Sequence, residues 1–435
     1  MSTTIIDTLY AIGDTLSGKF MRIMGGRQDT GTATAMRVDP LGQFYALPGR
    51  GNATTYSRFN VTQPQIIVDA KQILDNAPLV LDTQLVGAGT ATYSLATAST
   101  TMSLTTASGD SVVRQTKQYA IYDPGKGVRC MMTGVMPPAK ANVIGRIGYF
   151  DANNGFYFQM DSTGASVGVR TDTSGAAVDT LVAQASWNLD PLNGTGSSGI
   201  TVDFTKIQVF VFDFGWLGGA GVKFGFLLGD RIIFCHRYDS ANTLALPYIG
   251  QPQLPMRWEI TNTAAAASAT TMLQVSGVVQ TTADIATRGY LGSAANTTAR
   301  TVAAVPFPIL SIRLKPAYIR ATVYPLEWGA ATGNIGMLGQ LVLNGTLTGA
   351  TFAVTGSTAV DVDIAATAIS GGQAIDAAVC TNNGDRTISE VLPAYGGPVL
   401  ASNIAGTSDI LSVVLTNTGG GNALTNAFLT WREMY

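Results

Sequence analysis

Short apolar runs with alternating side chains, separated by turn residues, constrain this chain more than any other feature. The clearest example is RIGYFDANNGFYFQM (146–160), in which two alternating runs flank Asn153-Asn154-Gly155. Period-two alternation places successive side chains on opposite faces of a strand, and Asn-Gly supplies the positive φ angles of a two-residue hairpin turn. We therefore predict a β-hairpin here, closed by a type I′ turn.

Further strands are predicted between residues 200 and 238 and at MRWEI (256–260). The run 207–212 is mostly apolar on both sides, which is typical of a strand covered on both faces. Gly229-Asp230 is a turn, and four residues should share one side of the strand that follows it: Ile232, Phe234, His236 and Tyr238. Residues 66–78 fit a short helix or a strand, and residues 264–300 are typical of a flexible or partly helical connection.

Turn signals about every 8–12 residues indicate a mainly all-β chain of β-sandwich or jelly-roll domains. We divide it into 1–79, 80–300 and 301–435: an N-terminal helix and extended arm for anchoring, a central β-sandwich, and a C-terminal β domain. The helix is predicted within residues 1–20, whose apolar residues fall on one side, and the arm follows it. Pro306 and Pro308 mark the entry to the last domain, because proline is tolerated where a strand begins.

Composition favours a protein that buries its surface against other chains. Only 12% of residues are charged, 46% are hydrophobic and the net charge is −2. Such a chain has few surface charges to keep it dispersed in solution. Surfaces that are buried between subunits carry fewer charged residues than exposed surfaces. We expect a symmetric homo-oligomer, with a trimer favoured.

The sequence also disfavours several classes of partner and location. Lysine and arginine form no stripe, so direct nucleic-acid binding is disfavoured. The sequence contains no run of 18 apolar residues, so no membrane-spanning helix is expected. Its N-terminal residues lack a basic leader followed by an apolar segment, so no signal peptide is expected. Three scattered cysteines, Cys130, Cys235 and Cys380, indicate buried thiols in a protein made in a reducing compartment.

His236 is the only histidine, and we interpret it as a packed scaffold residue. A catalytic triad would need a nucleophile and an orienting carboxylate beside it. Cys235 should point to the opposite face of the strand and therefore share no site with His236. One histidine and three distant cysteines offer no zinc-ligand spacing.

The acidic residues give no stronger indication of a catalytic or metal site than His236 does. Four could act as paired carboxylates in glycoside cleavage, although turn caps and ion pairs are the commoner roles: Asp203, Asp213, Asp230 and Glu259. DVDIAAT (361–367) resembles half of a calcium loop but lacks its glycine and distal glutamate, so we expect a strand with solvated aspartates. We assign no catalytic, cofactor-binding or metal residue, and predict that the protein is not an enzyme.

GWLGGAG (215–221) is predicted to be a tight bend between two strands. It lacks the Lys-Ser/Thr of a phosphate-binding loop. Trp216 and Trp187, if exposed, could stack on sugars, which keeps a glycan-binding function open as an alternative.

Several segments resemble a family of virion structural proteins from tailed bacteriophages of marine and environmental origin. They are residues 108–127, 146–158, 187–242, 254–262, 306–315 and 343–352, and the closing Trp431-Arg432-Glu433. The resemblance covers roughly residues 100–435 and implies a virion component with other virion proteins as partners. A capsid decoration, vertex or head-associated role is favoured over a tail, collar or tail-fibre role. A module that recognises a host surface glycan is the third alternative.

Overall fold

The computed structural model describes residues 64–281, 289–333, 335–354, 359–380, 387–390 and 399–435, and two short strands before them. The chain divides into two units, Met1–Ala53 and Thr54–Tyr435. The first unit is described only by an antiparallel pair, β1 (Gly26–Arg27) and β2 (Ala33–Thr34). The predicted N-terminal helix and residues 21–63 of the predicted arm otherwise lie outside the described residues.

The first hydrophobic core of the second unit is built from fifteen strands. They are β3 (Gln65–Ala70), β4 (Leu81–Val86), β5 (Thr90–Ser94), β6 (Ser99–Leu104), β7 (Ser111–Thr116), β8 (Val128–Val135), β9 (Val143–Phe150), β10 (Gly155–Asp161), β11 (Gly164–Thr171), β12 (Val178–Ala183), β13 (Gln208–Phe214), β14 (Gly221–Leu228), β15 (Arg231–Asp239), β16 (Met256–Asn262) and β17 (Thr270–Thr281).

These strands form two antiparallel sheets packed face to face as a β-sandwich. The seven-stranded sheet has the order β12-β11-β10-β9-β16-β7-β4, and the eight-stranded sheet has the order β15-β14-β13-β8-β17-β6-β5, with β3 also pairing β17. Helical structure in the described part is limited to two 3-10 turns, Gln184–Ser186 and Pro316–Tyr318. The prediction of a mainly all-β, sandwich-type fold is confirmed.

Phenylalanine rings from both sheets fill the space between them. Phe156 and Phe158 of β10 alternate with outward residues and meet rings of the opposite sheet. The ring centroids of Phe156 and Phe214 lie 4.8 Å apart, as do those of Phe158 and Phe226. Each buried aromatic ring removes a large apolar area from water, so this aromatic cluster is a main stabilising feature of the sandwich.

A second hydrophobic core lies in residues 302–431. The strands around it are β18 (Tyr290–Ala295), β19 (Arg300–Val302), β20 (Phe307–Leu314), β21 (Thr322–Thr332), β22 (Met337–Leu343), β23 (Thr346–Thr348), β24 (Ala353–Val354), β25 (Val360–Asp363), β26 (Ala368–Ser370), β27 (Gln373–Cys380), β28 (Thr387–Glu390), β29 (Ile410–Asn417) and β30 (Ala423–Met434). One sheet has the order β18-β30-β21-β28, with β19 also on β30; another has the order β24-β25-β20-β29-β22-β27, and β23 pairs β26. The three-part division at residues 80 and 300 stays a prediction.

The hairpin over 146–160 is confirmed, but its predicted type I′ turn is wrong. β9 and β10 are joined by residues 151–154, and neither Asn153 nor Asn154 has a positive φ. Asp151 Oδ1 instead accepts the backbone N–H groups of Asn153 and Asn154, at 2.8 Å each. The aspartate therefore closes a longer turn, and Gly155 alone adopts a positive φ of 128°.

The predicted flexible or helical connection over 264–300 is wrong for its central part. β17 runs for 12 residues and lies between β8 and β6 in the eight-stranded sheet. Register shifts interrupt the strand between Gln274 and Gly277 and again between Val279 and Gln280. Because each bulge changes which residues face inward, no clean alternation remains in the sequence.

A bulge also alters the faces predicted for β15. Phe224 pairs His236, whereas the next residue, Gly225, pairs Phe234, which leaves Cys235 as the extra residue. Phe234 lies outside the aromatic core and contacts the Lys223 ammonium, 5.4 Å from its ring centroid. The prediction that one face unites residues 232 to 238 is therefore wrong.

Candidate functional site

The outward face of the seven-stranded sheet carries a connected network of arginine, carboxylate, amide and aromatic side chains. We call this set the polar face: Gln115, Arg146, Phe150, Tyr157, Gln159, Arg170, Asp179, Arg257 and Glu259. Strand alternation places these residues there. On β16, for example, Trp258 and Ile260 fill the core, so Arg257 and Glu259 turn outward.

Glu259 is the centre of one half of the polar face. Its carboxylate accepts Arg146 Nη1 at 2.8 Å, and Arg257 Nε and Nη2 at 2.8 and 2.6 Å. Arg146 Nε also donates to Gln159 Oε1 at 2.8 Å, and Arg257 Nη1 donates to Gln115 Oε1 at 3.0 Å. Hydrogen bonds thus link four adjacent strands, β7, β16, β9 and β10, and hold these long side chains in one arrangement.

Arg170 is the centre of the other half. Its Nε and Nη2 donate to the two oxygens of Asp179 at 2.7 and 2.9 Å, a bidentate pair. The Tyr157 ring lies between two guanidinium groups, with Arg146 Cζ 5.2 Å and Arg170 Cζ 5.6 Å from its centroid. Phe150 is also within cation–π distance of Arg170, at 5.7 Å.

Two glycines make room for Tyr157: Gly168 lies beside its ring, and Gly148 lies beside its Cα. A Cβ on Gly168 would lie 2.5 Å from Tyr157 Cε2, and a Cβ on Gly148 would lie 2.5 Å from Tyr157 Cα. Both distances are far below van der Waals contact, so any side chain would displace the tyrosine. The Tyr157 ring therefore lies over Gly168 of the neighbouring strand β11.

The arginines keep both carboxylates of the polar face ionised. Burial opposes ionisation of Glu259, but Arg257 and Arg146 outweigh it and hold its pKa below the usual value. Burial likewise opposes ionisation of Asp179, and its bonds to Arg170 lower its pKa overall. A glycosidase needs one carboxyl group whose pKa is raised so that it donates a proton, and neither carboxylate fits that role.

The arrangement suits recognition of a hydroxyl-rich ligand. Each guanidinium has five N–H donors. Arg146 donates hydrogen bonds from Nε and Nη1, and its Nη2 lies 3.8 Å from Asp179 Oδ2, beyond hydrogen-bond distance, which leaves donors for a ligand. About a tenth of each charged side chain is exposed for Arg170, Arg257 and Glu259 (11%, 11% and 10%). The rings of Phe150 and Tyr157 and the amides of Gln115 and Gln159 are buried. The charged groups that remain partly exposed are held rigidly by their hydrogen bonds, which reduces the entropy lost on binding.

His236 lies within the sandwich scaffold. Its side chain is buried, Nδ1 accepts the backbone N–H of Asn188 at 3.3 Å, and its ring lies 6.1 Å from that of Phe224. Burial lowers the pKa of His236, so the neutral ring is favoured. Cys235 is also buried, and its Sγ donates to the Phe224 carbonyl, so the bulge brings both residues against Phe224 rather than to opposite faces.

The structure does not bring the four candidate carboxylates together. Asp213 lies on the eight-stranded sheet and pairs with Arg129 at 2.7 Å, whereas Glu259 belongs to the polar face. Asp203 accepts the hydroxyl and N–H of Thr205 in a turn, and Asp230 is exposed in the turn before β15.

The two aspartates of DVDIAAT are not solvated, contrary to the prediction. Asp361 and Asp363 lie on β25 and are both buried. Asp363 accepts the backbone N–H groups of Thr351, Ala365 and Ala366 at 2.6, 3.2 and 3.1 Å. Among the described residues, no group of three histidine, cysteine or acidic side chains is arranged to hold a metal ion.

Neither tryptophan proposed for sugar stacking is an exposed platform. Trp187 is buried, and its indole N–H donates to the Val182 carbonyl at 3.1 Å. Trp216 is partly buried, donates to the Ile249 carbonyl at 2.9 Å and packs edge-on against Tyr122. The bend that carries Trp216 is confirmed as a connection between β13 and β14.

Sequence reasoning missed the arginines of the polar face. Arg146, Arg170 and Arg257 each stand beside core-facing residues in alternating strands, which was a usable signal that they share outward faces. It could not show that these strands are neighbours, because β9 and β16 are far apart in the chain.

Comparisons with known proteins identify no family for this chain. No family model matches it, and no curated protein matches it significantly. Solved structures that resemble part of it include a protein of unknown function from Shewanella oneidensis MR-1, at 10% identity and a TM-score of 0.33, over 52% of this chain and 94% of that one. A legume lectin-like domain from Entamoeba histolytica aligns at 9% identity and a TM-score of 0.29, over 50% and 98%.

A carbohydrate esterase from the Shiga toxin-encoding bacteriophage phi24B aligns at 11% identity and a TM-score of 0.28, over 50% of this chain and 99% of that one. All three TM-scores are below 0.5, so these likenesses assign no function to this chain. In the described part of the chain, no helix has the length and apolar character needed to cross a membrane.

Proposed function

We propose that this protein is a non-enzymatic binding protein that recognises a carbohydrate chain through the polar face of its seven-stranded sheet. The observation that carries the proposal is the rigid network around Glu259 and Arg170. It holds planar guanidinium and carboxylate groups side by side, with about a tenth of each side chain exposed at Arg170, Arg257 and Glu259, and such groups match the paired donors and acceptors of sugar hydroxyls. Double-sheet jelly rolls are used as lectin domains, so the scaffold is compatible with this role.

The test is a glycan array with bacterial O-antigen and capsular oligosaccharides, together with maltohexaose and hexagalacturonate as simple neutral and acidic probes. We expect wild-type protein to bind at least one oligosaccharide. The double variant Arg146→Gln, Arg257→Gln should lose about tenfold in affinity, equivalent to about 1.4 kcal/mol.

Arg237→Gln is the matched control, because Arg237 pairs with Asp239 on an exposed surface (54% and 52% of the two side chains) outside the polar face. It should bind like wild type. No binding by wild-type protein to any sugar, or equal binding by all three proteins, would refute the proposal.

The second candidate is a structural component of a phage virion that assembles with copies of itself. Many large apolar side chains are exposed, including Leu74 at 85%, Leu291 at 73% and Val379 at 72%. Together with the low charge of the chain, this is typical of surfaces that other chains cover. Head-associated and tail positions, a trimeric state and companion virion proteins all belong to this proposal, as does synthesis in the host cytoplasm.

Two measurements test it. Sedimentation at micromolar concentration should give a species larger than a monomer, with a trimer expected. Immunogold labelling of phage particles with an antibody to this chain should place gold on the head if the role is decoration, and on the tail if it is a fibre or collar. A stable monomer that labels no particle would overturn this candidate while leaving glycan binding open.

A further inference from the structure

Asp151 connects the polar face to the second core. It is the first residue of the turn between β9 and β10, and its carboxylate is nearly buried (5% exposed). Arg320, which follows the 3-10 helix Pro316–Tyr318, donates Nε and Nη2 to Asp151 Oδ2 at 2.9 and 2.7 Å. A side chain next to residues of the second core thus contacts the hairpin that carries Phe150 and Tyr157.

The remaining acceptors of Asp151 hold the hairpin turn and an arginine of the polar face. Oδ1 accepts the N–H groups of Asn153 and Asn154, and the backbone carbonyl accepts Arg170 Nη1 at 3.3 Å. Asn154 Oδ1 in turn accepts the Gly250 N–H at 2.7 Å. Movement of Asp151 would therefore move the turn and the guanidinium of Arg170 together.

Arg170 couples the position of Asp151 to the rest of the polar face. Its other nitrogens are fixed on Asp179, and its guanidinium lies against both Tyr157 and Phe150. Without Arg320, the buried Asp151 carboxylate would lack its cation. A nearly buried charge that loses its partner is unfavourable, so the carboxylate would shift towards water or towards Arg170.

We propose that Arg320 is a positioning residue: through Asp151 it sets the placement of Arg170 beside Tyr157. The part of the chain around the second core thereby controls ligand binding on the polar face. This inference rests on the proposed function of the polar face. Arg320 does not belong to that face and acts only through Asp151. The second core is then part of the binding unit rather than a separate module.

The test compares Arg320→Gln with Arg237→Gln and Arg170→Gln in the full chain. The probes are maltohexaose, hexagalacturonate and the O-antigen oligosaccharides of the array. We expect Arg320→Gln to lower affinity about tenfold, a loss of about 1.4 kcal/mol in binding free energy. Arg237→Gln should have no effect. In the Arg170→Gln background, Arg320→Gln should cause little further loss, because both changes remove the same arrangement.

Hydrogen exchange gives a readout that needs no ligand. In Arg320→Gln, amides of residues 151–155 and 170–173 should exchange faster than in wild type, while amides of β13 should not change. Unchanged exchange there, or affinity losses that add independently in the double variant, would overturn the inference.

The two proposals fail in different ways. If Arg170→Gln binds every sugar like wild type, the polar face is not the binding site and the proposed function fails. If Arg170→Gln weakens binding and Arg320→Gln does not, only the positioning role fails. If no sugar binds wild-type protein, the exchange measurement alone decides whether Arg320 positions Arg170.

Discussion

Truncating Phe158 to alanine should destabilise the sandwich strongly without altering the polar face. The ring is fully buried, and its centroid lies within about 6 Å of five other rings, the usual range for aromatic pairs. The centroid distances are 6.0 Å to Trp187, 5.3 Å to Phe210, 5.5 Å to Phe212, 5.7 Å to Phe224 and 4.8 Å to Phe226.

The expected loss of unfolding free energy is about 4 kcal/mol, within the range of about 3–5 kcal/mol for buried Phe→Ala changes. The loss should not fall below that range, because rings from both sheets surround the site, so the cavity cannot collapse without moving strands. Urea unfolding followed by tryptophan fluorescence measures the loss, since Trp187 adjoins the cavity. The slope of unfolding free energy against urea concentration should be the same as in wild type, so the urea midpoint should fall in proportion to the lost free energy.

Phe204→Ala is the matched control, because Phe204 is only partly buried and packs against Phe226 at 5.9 Å. It should cost about 1 kcal/mol, the typical effect of a point substitution. Sugar binding by Phe158→Ala below its unfolding midpoint should equal that of wild type, because Tyr157, the adjacent residue, faces the other side of the sheet. A loss below about 1.5 kcal/mol, far under the usual cost of an aromatic cavity, would refute the packing argument.

Three further changes have defined outcomes. Burial lowers the pKa of His236, so the unfolded state binds more protons and stability should fall as pH drops below 6.5; urea midpoints from pH 8 to 5 should show this fall, and His236→Gln should lessen it. Gly168→Ala should displace the Tyr157 ring, at a cost of about 1–3 kcal/mol, and weaken sugar binding; unchanged affinity would contradict the role of the ring. Arg129→Met should leave the buried Asp213 carboxylate without this partner and cost about 3 kcal/mol, measured by thermal unfolding, and a neutral result would show that the pair is dispensable.

Unbroken alternation was sufficient to predict several elements. β9, β10, β14 and β16 all lie where inward apolar residues and outward residues alternate, and the turn at Gly229-Asp230 before β15 was predicted as well. The period of two is a local property of extended backbone, so the residues of one strand are enough to assign its two faces. The same reasoning failed at β15 and β17, because one extra residue in a bulge shifts every later side chain to the other face.

The amino-acid sequence by itself determined that the chain is mainly β, that its strands have apolar sides, and that few charges cover its surface. Only the tertiary structure decided which strands are neighbours, and with them the polar face. Arg146 and Glu259 are 113 residues apart, yet β9 and β16 pair in register and place their charged groups 2.8 Å apart. Antiparallel pairing between distant strands depends on the packing of the whole sandwich, and no local pattern in either strand encodes its partner.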